Sequence, residues 1–362
     1  MMYYPAKSLS AKGGPRWGGI CNQIESTKTK GAAKQMYMRK VSAFIAAAMI
    51  LTASLPVFAW DETGHKITAY IAWQRMTPDV RTKVINTLLS APEDAQLSTF
   101  YAPFGSRTEG VRQREFFMVI ATWADIIRDR NFPVRQKNYA HSNWHYSDTF
   151  WDDKDGKVNL LAPPEDGGKA LDKLADFDKL IRSNATDAEK AIAIAWLEHV
   201  IGDIHQPLHT SARVTAENPK GDQGGNLFFL TPKDTPRAQQ QNLHWFWDSI
   251  IGRNQPNTKD LCDADYIDRI AESIIKQFPY SKLSGEIADG KFDVWKAESF
   301  KLASTEVFSG VTQYEMPSDK YKKKAFKIAE RRLALAGYRM GDLFNSVFAG
   351  APASTFNAQP RY

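Results

Sequence analysis

Apolar residues recur at three- and four-residue spacing along most of the chain, the period of a helix with one buried face. The pattern predicts helices over 64–76 and 79–89, with Pro78 near the start of the second. It predicts further helices over 111–128 and 166–183. Thr186 followed by Glu189 has the spacing of a capping box, which opens a helix that runs to about Gln206 and is stopped by Pro207. Helices are also expected over 239–253, 264–277, 293–309 and 318–348. Between them, 132–165 reads as irregular, and 211–238 as a Gly/Pro/Asp-rich loop with one short strand at Leu227–Leu230. Neither repeats nor strand–helix alternation are visible. The expectation is a mainly α, single-domain protein over 60–349, followed by a loose tail at 350–362.

Charge separates the first 59 residues from the rest. They carry eight Lys/Arg and one Glu, a net +7, against +6 for the whole chain of 362 residues. The remaining residues are therefore close to neutral, so overall basicity gives no argument for nucleic-acid binding. Residues 38–59 have the layout of a signal peptide. Arg39 and Lys40 precede an apolar run over 41–54, and Val57 and Ala59 occupy the positions that signal peptidase reads. That run is shorter than the roughly 20 apolar residues of a membrane span. Cleavage is expected before Trp60, giving a secreted or periplasmic protein without a membrane anchor, whose translation starts at Met1, Met36 or Met38. Cys262 would then be the single cysteine of the mature chain, since Cys21 lies in the leader.

Candidate chemistry is concentrated in the histidines. Of seven, His199 and His244 each have an aspartate four residues on, Asp203 and Asp248. On a helix that spacing puts both side chains on one face. For His199 and Asp203 it is the apolar face that also carries Ala191, Ile192 and Ala195, where a carboxylate needs a hydrogen-bonded partner or a metal. Imidazole nitrogen with carboxylate oxygen suits zinc. In the segment HQPLH, Pro207 forces a turn, so His209 can face a different ion from His199, whereas His205 leaves the ligand face and reads as structural.

Six motifs follow in order: WDETGH at 60–65, TWAD at 122–125, WHYSD at 144–148, HVIGDIHQPLH at 199–209, GDQGGN at 221–226 and NLHWFWD at 242–248. Together they resemble the S1/P1 nuclease family of zinc-dependent secreted enzymes. The resemblance implies a single helical domain, of a type shared with phospholipase C, with a trinuclear zinc cluster in a cleft. By that resemblance Asp125, His145, His199 and Asp203 hold one zinc. The backbone amine and carbonyl of Trp60, with His65 and a bridging Asp203, hold the second; His209, His244 and Asp248 hold the third. His141 and His205 stay outside the cluster.

The same resemblance implies catalysis by water that zinc has activated, attacking phosphorus and leaving a 5′ phosphate. Asp125 would orient that water, and Arg128, one helical turn on, would contact the phosphate. Tyr146 and Asp148 would hold the base by stacking and edge hydrogen bonds, with Asn242 touching it as well. The implied substrates are single-stranded DNA and RNA, with 3′-nucleotides also hydrolysed, and the implied state is a monomer. A zinc phospholipase C is the alternative reading. Such enzymes typically end their ligand set in Glu where this chain has Asp248, and their first His lies further from the N-terminal Trp than His65 does from Trp60.

Overall fold

The structure, a computed structural model, describes residues 60–350; the leader with its expected signal peptide and Cys21, and the tail from 351, lie outside the described residues. Long helices dominate. Helix α1 (Glu62–Arg75) is buried almost all round, every residue from Gly64 to Trp73 being inaccessible, so it forms the centre of the domain. Its N-cap is Asp61, whose carboxylate accepts the Gly64 N–H at 3.2 Å. Thr77 caps α2 (Pro78–Leu89), with Pro78 at the first turn. Helices α3 (Glu109–Ile120), α4 (Trp123–Ile126), α5 (Pro133–Tyr139) and α6 (Ala170–Ile181) follow. Helix α7 (Asp187–His205) has the full capping box at Thr186 and Glu189, and is buried from Ala193 to its end. The chain continues through α8 (Leu243–Asp248), α9 (Ile250–Asn254), α10 (Asp263–Gln277), α11 (Tyr280–Leu283), α12 (Phe292–Leu302) and the long α13 (Asp319–Phe348), capped by Ser318.

Helices α1, α7 and α13 pack together as the core, the first long helix lying along the last. Their approach depends on a glycine. A Cβ on Gly337 of α13 would stand 2.5 Å from the Ile71 Cβ of α1, so any side chain there would push the helices apart. Among the described residues no helix is long and apolar enough to cross a membrane.

A small sheet sits at one end. Strand β1 (Thr149–Lys154) pairs antiparallel with β2 (Lys157–Leu160) and parallel with β3 (Ser211–Arg213), in the order β2-β1-β3. It ties the chain just after His145 to the chain just after His209.

The structure corrects several sequence expectations. The segment 132–165 is not irregular throughout: it contains α5, β1 and β2. The expected strand at Leu227–Leu230 does not form, and only an isolated antiparallel bridge joins Phe229 to Asn242, because no neighbouring strand extends the pairing. The helix expected over 111–128 is interrupted at Ala121–Thr122, and that over 239–253 is two short helices that meet at Ser249. The helix predicted over 293–309 widens to a π turn at Ala303–Val307.

Candidate metal centre

Helix α7 carries two of the site's groups one turn apart. The His199 Nε2 lies 3.3 Å from an Asp203 oxygen, and both residues are fully buried. From α1, His65 reaches the other Asp203 oxygen with Nε2 at 3.3 Å and stacks on His199 with ring centroids 4.0 Å apart. This meeting needs Gly202, since a Cβ there would lie 2.8 Å from the His65 Nδ1. His145, from the short turn before β1, places Nδ1 at 2.9 Å from the His199 Nε2 and 3.2 Å from Asp203. Asp125 of α4 completes the cluster, with its oxygens 4.0 Å from His145 and 3.9 Å from His199. A second group, His209, His244 and Asp248, is built from the turn after α7 and from α8. His244 Nε2 lies 3.4 Å from Asp248, and the His209 and His244 ring centroids are 4.9 Å apart.

Main-chain carbonyls fix three of these imidazoles. His199 Nδ1–H donates to the Ala121 carbonyl at 2.8 Å, His209 to that of His145 at 2.6 Å, and His244 to that of Gly224 at 2.7 Å. Each ring then presents its Nε2 lone pair inward, the usual outer support of a metal-ligating histidine. The interruption of the helix at Ala121 exposes the carbonyl that His199 uses.

The donor set fits divalent cations. Both Asp203 oxygens, one oxygen of Asp125 and one of Asp248 are buried without a hydrogen bond, and so is the His145 Nε2. Burial pushes the carboxyls of Asp203 and Asp248 well above the ordinary carboxylate range and holds His65 and His145 well below the imidazole range. Neutral imidazoles facing lone pairs of buried carboxylates are costly on their own. Asp203, Asp125, Asp248 and the imidazoles around them could hold a divalent cation, which would supply the missing charge. The groups His65/His199/Asp203, Asp125/His145/His199 and His209/His244/Asp248 each bring their ligand atoms within 4.8 Å of one another.

Trp60 is fully buried at the start of α1, and the neighbouring Asp61 N–H donates to the Asp248 carbonyl at 3.0 Å. The chain segment that holds Trp60 therefore lies beside the second group. Arg128 stands next to the cluster, its Nη2 3.4 Å from Asp125. Tyr146 and Asp148 continue from His145. The Tyr146 carbonyl accepts from the Ala170 N–H at 2.9 Å, and the Asp148 N–H donates to Gly167 at 2.6 Å. Desolvation and the neighbouring Asp222 push the Asp148 carboxyl well above its usual range. Asn242 is mainly a helix cap, its side-chain oxygen accepting the Trp245 N–H at 2.7 Å while its amide reaches Asn226 at 3.3 Å. That employment competes with base contact.

The family profile described as S1/P1 Nuclease matches residues 60–349. The chain belongs to the S1/P1 nuclease family. Relatives include Endonuclease 2 of Arabidopsis thaliana, 23% identical over 310 residues, covering 83% of this chain and 94% of the relative. Nuclease S1 of Aspergillus oryzae is 24% identical over 313 residues, 82% of this chain and 94% of its own. Nuclease P1 of Penicillium citrinum is 21% identical over 305 residues, 80% and 97%. This S1/P1 family member is thus a phosphodiester hydrolase, a nuclease with a metal-binding site, and the phospholipase alternative is not favoured.

One residue of the site was overlooked in the sequence. Gln206 donates from Nε2 to Asp248 at 2.7 Å and accepts the Leu208 N–H at 2.6 Å, so it orients an acid of the second group from the end of α7. Its position between His205 and Pro207, where a helix must stop, was the available signal. His205 is turned away from the cluster, as its place on the helix predicts. Its Nδ1–H donates to Ile201 at 2.7 Å and its Nε2 accepts from Arg339 at 2.8 Å.

Proposed function

We propose that this nuclease is a zinc-dependent endonuclease of single-stranded DNA and RNA that leaves 5′ phosphates and also acts on 3′-nucleotides. The observation that carries the metal reading is the largely buried convergence of Asp125, His145, His199 and Asp203 with oxygens left without a hydrogen bond. Three zinc ions are proposed. Asp125, His145, His199 and Asp203 would hold one; His65, Asp203 and the terminal amine and carbonyl of Trp60 a second; and His209, His244 and Asp248 a third. Zinc, when bound, would lower the pKa of a water to about 7 and withdraw charge from phosphate oxygens.

The chain's own groups divide the remaining work. Asp125 would accept a hydrogen bond from the attacking water and aim it at phosphorus. The Arg128 guanidinium would bind a phosphate oxygen, which suits its place beside Asp125. Tyr146 would stack on the base, and Asp148 would bond its edge, with a lesser part for Asn242. Bases exposed on single strands offer both a face and an edge, which is why unpaired strands are the proposed substrate. The leader 1–59 is proposed to be removed before Trp60, giving a secreted or periplasmic monomer whose catalytic domain is 60–349, followed by the tail 350–362.

Elemental analysis of the purified mature chain, paired with cleavage of single-stranded DNA before and after chelation, tests the proposal. Near three zinc per chain and activity restored by zinc are expected; cleavage that persists under thorough chelation would refute it. A chain with one extra residue before Trp60 should lose zinc and rate, because its nitrogen becomes an amide. Full activity and three ions in that chain would remove Trp60 from the ligand set.

A further inference from the structure

One fully buried acid lies next to this site with no part in it so far. Glu198 is 0% exposed, and neither of its carboxylate oxygens has a hydrogen bond. Burial pushes its carboxyl well above the ordinary carboxylate range. A carboxylate so placed is costly unless something donates to it.

The packing of α1 on α7 identifies the donor. The two helices run antiparallel, since the start of α1 and the end of α7 both meet Asp248, through the Asp61 N–H and the Gln206 side chain. One turn inward, His65 faces Gly202, with Nδ1 on the α7 side. One turn further, Thr68 follows His65 on the same face of α1, and Glu198 precedes Gly202 on the same face of α7. The His65 Nδ1 and the Thr68 hydroxyl are also buried without a hydrogen bond. Three polar side chains without partners thus share one stretch of the α1–α7 interface.

His65 also differs from three of the other imidazoles. His199, His209 and His244 each give Nδ1–H to a main-chain carbonyl, and His65 has no such acceptor. We propose that Glu198 is a positioning residue for His65. Its carboxylate takes the Nδ1–H of His65 across one buried water shared with the Thr68 hydroxyl, and fixes the ring with Nε2 toward Asp203. The inference rests on the reading that His65 holds a metal. A carboxylate is a stronger acceptor than a peptide carbonyl, so it makes this imidazole a better ligand than its neighbours.

The test compares wild type with Glu198→Leu, Glu198→Gln and Thr68→Val. Zinc affinity is read by competition with a chelator, the His65 ring by nitrogen-15 NMR, and the metal-free fold by thermal unfolding. Glu198→Leu should weaken the tightest lost zinc by about 10- to 100-fold and shift the His65 Nδ1 signal. Its metal-free form should melt no lower than wild type, because a buried acid has been removed. Glu198→Gln, which keeps an acceptor, should recover most of the affinity, and Thr68→Val should fall between the two. Unchanged zinc affinity and an unchanged His65 signal in Glu198→Leu would overturn the proposal. So would an affinity loss that merely follows a lower melting temperature of the metal-free chain. If wild type takes up no zinc, the metal reading fails by itself, and the His65 signal of the metal-free protein still decides the Glu198 contact.

Discussion

Asp203 and His205 stand two residues apart on one helix, both fully buried, and they answer to different partners. Asp203 lies between His65, His145 and His199, so Asp203→Asn should lose zinc and nearly all activity, read by elemental analysis and DNA cleavage. His205 instead joins Arg339, which is bound on both nitrogens to Glu298 at 2.8 Å. His205→Ala should keep its zinc and cost about 1–3 kcal/mol in denaturant unfolding, because the guanidinium loses a buried acceptor. Equal zinc loss in both variants would contradict the division of α7 into two faces. Asp148→Ala should raise KM for a 3′-nucleotide more than it lowers kcat, since it removes ground-state binding of the base. A pure kcat loss would put Asp148 in the chemistry. Asp222, close to Asp148, is held at about 6 by burial, above its ordinary 3.8. Folding therefore favours its neutral form, and the advantage present below pH 4 disappears as pH rises through 6. Relative to Asp222→Asn, wild type should lose up to about 3 kcal/mol between pH 4 and pH 7, measured by urea unfolding at each pH. A constant gap would show that Asp222 titrates normally.

Among the elements, α7 was legible because three independent signals agreed: the Thr186–Glu189 box, the helical apolar period and the stop at Pro207. Its ligand face followed from the four-residue spacing of His199 and Asp203. The hairpin was missed for a different reason. Its signature is the dipeptide Asp155–Gly156, a two-residue turn with both φ positive, within a stretch whose exposed alternation in β2 gives no buried stripe. Helix α5 is too short to show a period, and the strand expected at Leu227–Leu230 needed a partner that only tertiary structure could deny. The convergence of Asp125, His145 and His65 on α7 was not readable from spacing, only from resemblance, because their separations reflect packing between helices. Two substitutions separate the helix from its site. Thr186→Ala should cost about 1 kcal/mol in thermal or urea unfolding without altering zinc content. Gly202→Ala should instead weaken zinc about tenfold or more with a smaller effect on the metal-free fold, since its methyl meets His65. Identical behaviour of the two would mean that the site does not depend on the α1–α7 approach.

For the whole molecule, the buried carboxylates make cation and fold interdependent. Zinc at 100 times its Kd adds about 2.7 kcal/mol to stability, so chelation should lower the melting temperature by roughly 5–10 °C, reversibly on adding zinc. A melting curve indifferent to chelation would show that the acids are satisfied without metal. The packing of α13 along α1 has a consequence in time. Asp203 and His205 are held by a helix end that Arg332 braces through the His205 carbonyl at 3.2 Å, and Arg332 belongs to α13, 127 residues further along the chain than His205. The first helix cannot find its long neighbour until α13 has been made, and closing that loop is slow because it spans most of the described residues. A nuclease built this way stays unassembled until that late helix is in place, and the order in which its residues are translated acts as a safety catch.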